Sequence, residues 1–232
     1  FFFFIKKVFS KEFNLKLLIL FILILFQGFV GWYMVQSGLV ENVSVSHFRL
    51  AIHLNIALVL FASIFWYFLN VKNFTNKYFF NFSKKNIFIK FFIFLIFLQI
   101  TFGAFTSGLD AGKIYQTWPS MNNNYFPDDI NFKILLSVSA FSEPSAVQFL
   151  HRNLAYLIFL YSIGMTFYVF FYKKKYLYKS LFFLLSMILI QILLGISTLL
   201  SGLSIVYASL HQISTTILLI SSINFSYNLE KE

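Results

Sequence analysis

Long apolar runs separated by short polar ones dominate this chain. Stretches near 17–36, 47–69, 87–106, 146–171, 180–201 and 203–225 are almost wholly apolar. Each has about the 20 residues that a helix needs to cross a hydrocarbon core of about 30 Å. They are too long and too uniformly apolar for soluble amphipathic helices, and an open sheet edge does not survive in lipid. The pattern therefore predicts six transmembrane helices in an all-α integral membrane protein. The aromatic run Phe79 to Phe82 suits the membrane interface equally well.

Charge gives the runs a direction. Lys6, Lys7, Lys11 and Lys16 open the first span, Lys72, Lys77, Lys84, Lys85 and Lys90 join the second to the third, and Lys173, Lys174, Lys175 and Lys179 join the fourth to the fifth. The other side holds Arg49, Lys113, Lys133 and Arg152 among Glu41, Asp110, Asp128, Asp129 and Glu143. By the positive-inside rule the termini and the Lys-rich loops face the cytoplasm or an organelle matrix. The outer connection, 107–145, is the one extended polar segment, suited to a lid, a partner surface or a plain connector.

Composition agrees: of 232 residues, 59% are hydrophobic and 11% charged, against about 25% charged in soluble domains. The net charge of +10 follows from topology, so no nucleic-acid partner is expected. The absence of Cys excludes thiolate nucleophiles, iron–sulfur clusters, Cys-ligated zinc and covalent c-type haem. The chain begins at Phe1 and not at Met, and reads as N-terminally incomplete.

A repeat runs through the spans: Gln27-x3-Gly31-x5-Ser37-Gly38-Leu39, Gln99-x3-Gly103-x3-Ser107-Gly108-Leu109 and Gln191-x3-Gly195-x5-Ser201-Gly202-Leu203. Each copy closes an outgoing helix, and the returning helix carries one His: His53, His151 or His211. Shared helix-end grammar explains the Ser-Gly part. The Gln-to-Gly spacing points further, to a duplicated hairpin. Intramembrane Gln is costly without a partner, and Gly permits close approach of a helix or a flat cofactor.

The three His fall at one depth, roughly 10 Å below the outer surface at about 1.5 Å per residue. A single such His is ordinarily an interhelical hydrogen-bond donor; three in register point to metal or haem. No carboxylate lies in a span to offset a divalent ion, which favours haem held by axial His. Arg49 and Arg152 are candidates for haem propionates, with interfacial snorkelling as the alternative. His47, just six residues before His53, reads as an interfacial residue. Two axial ligands per haem pair His151 with His211 and leave His53 alone. Its partner is then expected upstream of Phe1, in a protein of eight spans, two four-helix bundles and two haem positions. Here one bundle is complete (76–232, with the outer loop 107–145) and the other is half present (1–75).

The residues also resemble a known family, haem A synthase. The resemblance lies in Gly31-Trp32-Tyr33-Met34-Val35 with Arg49-Leu50-Ala51-x-His53, in Gly108-Leu109-Asp110-Ala111-Gly112-x-Ile114-Tyr115-x-Thr117-Trp118-Pro119-x-Met121, and in His151-Arg152-x-Leu154-Ala155-Tyr156. Leu194-Gly195-Ile196-x-Thr198 with Ala208-x-x-His211-Gln212 completes it, and the chain is similar to the Cys-free subgroup. The resemblance implies His151 and His211 as axial ligands of a haem b cofactor and His53 as a ligand of the substrate haem. It also implies oxidation of a haem O methyl group, through a hydroxymethyl stage, to the formyl group of haem A with oxygen from water, for cytochrome c oxidase biogenesis. The catalytic group would lie upstream of Phe1. Expected partners are haem O, the lipid bilayer, an unidentified electron acceptor and a haem O synthase, and a homo-oligomer is compatible. The expected location is a bacterial inner membrane or, alternatively, the mitochondrial inner membrane. A di-haem b-type electron-transfer cytochrome and a His-relay transporter are the competing readings.

Overall fold

A computed structural model describes residues 11–38, 44–80 and 86–230. Lys6, Lys7, Leu39, Glu41, Phe82, Lys84 and Lys85, all used above, lie outside the described residues. The helices are α1 (Lys11–Val35), α2 (His47–Lys72), α3 (Ile87–Gly108), α4 (Phe132–Leu135), α5 (Pro144–Phe171), α6 (Tyr178–Leu200) and α7 (Ile205–Leu229). All but α4 are long and apolar enough to cross a membrane, and the chain is an integral membrane protein. The one large boundary difference is at α1, which starts at Lys11 and not near 17. There Glu12 and Lys16 pair across one turn at 3.2 Å and extend the helix through polar residues.

Successive helices form antiparallel hairpins, α1–α2, α3–α5 and α6–α7. The hairpin turns lie on the side called outer from the charge distribution. Helix α3 also packs on α2 and α7, whereas α5 meets α6 along a short stretch and barely touches α7.

Packing is uneven along the helix axes. The main core joins Trp66 and Leu69 of α2, Ile89, Phe92 and Ile96 of α3, Met165 and Val169 of α5, Leu184 of α6, and Leu219, Ile223 and Phe225 of α7. All of these lie toward the inner ends. The same end is tied by polar contacts: Trp66 Nε1 and Asn70 Nδ2 both donate to the Lys77 carbonyl at 3.0 Å. Lys90 pairs with Glu230 at 3.1 Å, joining the start of α3 to the chain beyond α7. In the outer halves, α3 packs Phe102, Ala104 and Phe105 against Ala51 of α2 and Val147 of α5. Helix α6 has no fully buried residue beyond Ile188, and α7 none before Ser214.

Candidate functional site: three histidine cradles

Each sequence repeat folds into the same small device. The returning helices begin at His47, Pro144 and Ile205, so His53, His151 and His211 sit six, seven and six residues inside them. In each hairpin the His faces the Gln and Gly of its outgoing helix. Gln99 Nε2 donates to His151 Nε2 at 3.3 Å and to the His151 carbonyl at 3.0 Å. Gln191 Nε2 donates to His211 Nε2 and carbonyl at the same two distances. In the first hairpin, Gln27 Nε2 lies 3.1 Å from His53 Nδ1, 3.4 Å from Nε2 and 3.1 Å from the carbonyl.

The Gly, on the same helix, leaves room for the ring edge beside the Gln. A Cβ built on Gly31, Gly103 or Gly195 would stand 2.9, 3.3 or 3.1 Å from Cε1 of His53, His151 or His211, respectively. With three residues between them, Gln and Gly lie one helical turn apart on one face. The Gln is therefore partnered within the membrane, as its cost there requires. The third copy has extra bonds: Ser214 Oγ donates to Gln191 Oε1, and Gln191 Nε2 also reaches Thr215 Oγ1 at 2.6 Å.

His151 and His211 lie close enough for their charges to interact, although α5 and α7 barely touch. Around them the bundle is open. Helix α5 has no fully buried residue between Gln148 and Ile158, and Ile205, Val206, Leu210 and Ile213 of α7 are exposed. Both imidazoles keep a buried Nδ1 without a hydrogen-bond partner. Among the described residues no three His, Asp or Glu converge on an ion. Two imidazoles at one depth on separated helices, near enough for their charges to interact and flanked by apolar side chains, fit a flat bis-His-ligated macrocycle such as haem.

Both candidate Arg residues sit near the His layer and already have contacts. Arg49 stacks on the Tyr33 ring, 3.8 Å from its centroid, and donates to the Tyr33 carbonyl at 2.8 Å. Arg152 donates to the carbonyls of Ser120 (3.2 Å) and Tyr115 (3.0 Å), fastening the outer loop beside His151. Each guanidinium has five N–H donors, so these contacts do not exhaust them. His47 donates its Nε2–H to the Phe141 carbonyl at 3.0 Å, linking the top of α2 to the same loop.

Sequence reasoning missed the anchor of that loop. Tyr115 donates its hydroxyl to Asp129 Oδ1 at 2.8 Å, Ser145 donates to Asp129 Oδ2 at 2.5 Å, and Gln148 Nε2 donates to the Tyr115 carbonyl at 2.8 Å. Burial alone would raise the Asp129 pKa, but the two hydroxyl bonds outweigh it and hold the carboxyl below its ordinary value. Burial, with the bond to Asp129, pushes the Tyr115 hydroxyl up. The loop is thus a folded cap pinned on the first two turns of α5. One signal was available: Ser145 and Gln148 are polar residues opening a transmembrane helix on one face.

Comparison with known proteins matches the family model of cytochrome oxidase assembly protein (COX15-CtaA) over residues 1–223. The chain is similar to "Heme A synthase" of Pelagibacter ubique (strain HTCC1062), 48% identical over 205 residues, covering 87% of this chain and 59% of that protein. The protein of the same description from Wolbachia pipientis wMel is 36% identical over 232 residues, 100% of this chain and 65% of its own length. That from Rickettsia prowazekii (strain Madrid E) is 37% identical over 230 residues, 99% and 68%. The chain thus spans about three fifths to two thirds of the length of these relatives.

Proposed function

The chain belongs to the cytochrome oxidase assembly protein family, and from that premise we propose that it acts in a haem A synthase, an inner-membrane oxidoreductase whose substrate is haem O. The reading rests most on one observation. His151 and His211 lie within reach of each other's charge on helices that barely touch, in the open outer half of the bundle.

His151 and His211 would hold a resident haem b, and His53 would hold the substrate haem. A haem held by two His supplies one-electron transfer at its iron. The protein's own side chains do the rest. The Gln and Gly of each hairpin fix the imidazole planes. The exposed Ile and Leu of α6 and α7 offer apolar walls to a farnesylated macrocycle and keep water from it. Arg49 and Arg152 sit at the outer edge of the His layer, where remaining N–H donors can pair with propionates. The loop pinned by Asp129 closes the site from above.

Membranes containing the protein, from a host that makes haem O but no haem A, are expected to yield haem A or hydroxylated haem O on pigment extraction. Haem B as the sole pigment would overturn the synthase reading in favour of a b-type electron-transfer cytochrome. A colourless protein would overturn the haem reading altogether.

A further inference from the structure

The three Gln side chains do more than bridge helices. An amide NH2 has no lone pair to offer, so the ring nitrogen it meets must be the unprotonated one. With Gln99 and Gln191 on Nε2 of His151 and His211, the proton of each neutral imidazole sits on Nδ1, the nitrogen left without a partner. That is the tautomer whose Nε2 lone pair is available to a metal. Resting on the haem-ligand reading above, we propose that Gln99 and Gln191 are positioning residues that hold the ligating lone pair of His151 and His211 until haem arrives, then yield it to iron.

The exchange is simple in its chemistry. An N–H···N hydrogen bond is broken and a nitrogen–iron coordinate bond forms, with no net transfer of protons or electrons. Each amide keeps its second anchor, the carbonyl of the same His, so it stays beside the ring and recaptures the nitrogen when haem leaves. In the haem-free protein it also spares a buried imidazole from lacking a partner, which would otherwise destabilise the fold. Gln27 differs by straddling both nitrogens of His53. Its shorter contact is to Nδ1, so the Nε2 preference seen in the other two hairpins is not repeated there.

A competitor of this kind has a signature that a purely structural Gln lacks. In the Gln99→Leu and Gln191→Leu variants iron no longer displaces a hydrogen bond, so haem should bind about fivefold more tightly in equilibrium competition with apomyoglobin, the equivalent of one ordinary hydrogen bond. The haem-free form of the same variants should unfold at lower temperature. Weaker haem binding, or unchanged affinity, would overturn the proposal while leaving the ligand assignment intact. Gln99→Met, of similar length and without the donors, repeats the measurement should Leu prevent folding. Purified wild-type protein that takes up no haem would instead overturn the haem-ligand reading on which the proposal rests.

Discussion

A buried imidazole is held by whatever reaches its nitrogens and its edge, and here a glycine matters as much as a glutamine. Replacing Gly31, Gly103 or Gly195 by Ala puts a methyl group 2.9, 3.3 or 3.1 Å from the ring carbon Cε1. Overpacking of this kind costs about 1–3 kcal/mol. The expected order of damage is Gly31→Ala, then Gly195→Ala, then Gly103→Ala, read from thermal unfolding of the haem-free protein. Equal stability in all three would contradict the cradle geometry. Asp129 gives a second residue-scale expectation. Its carboxyl titrates below the ordinary 3.8, so its contribution is complete above that value and is lost as pH falls through the lower folded one. Tyr115 has the opposite sign: its contribution holds below its ordinary 10.0 and is lost as pH rises through the raised folded value. Protection of segment 109–143 against hydrogen exchange, relative to the intrinsic rate at each pH, should therefore stay high near neutrality and fall only below the ordinary carboxyl value of 3.8. Asp129→Asn should show the faster exchange already at pH 7, because losing charge-assisted bonds costs about 1.5–3 kcal/mol.

At the scale of elements, the spans were legible because lipid demands long apolar helices and leaves little choice of secondary structure. The ends were less so. Hydropathy does not see Lys11 to Lys16 continuing α1, or the polar Asn224, Ser226 and Asn228 carried within α7. The repeat was legible as spacing, and the His layer as register, since both recur at helical intervals. What the spacing could not say is that Gln is the partner of His. That contact crosses between helices, and only folded coordinates show the amide meeting ring and carbonyl together. The loop anchor had no repeat to reveal it, because Tyr115, Asp129 and Ser145 meet through irregular backbone. The hairpin turns carry a further testable detail. Ser37 Oγ donates to the Met34 carbonyl at 2.6 Å and accepts the Ser46 N–H at 2.8 Å, closing the turn between α1 and α2. Ser37→Ala should destabilise this hairpin by about 1 kcal/mol, measured as easier unfolding in mixed detergent, with Ser37→Thr restoring most of the loss.

The whole molecule is knit at one end and loose at the other. Trp66, Phe92, Leu184, Leu219 and Phe225 lock the inner halves of the helices, while the outer halves of α6 and α7 have few buried residues. Amides of α7 beyond Leu218 are thus expected to exchange more slowly than those near His211, and haem loading should close that difference. Uniform protection along α7 before loading would contradict the uneven packing. Such a body behaves like tweezers hinged at the end opposite the hairpin turns: a bulky greasy guest can part the free arms sideways, from within the bilayer, without unfastening the hinge. Its arrival and departure then need neither a water-filled portal nor any loosening of the joint on which the fold depends.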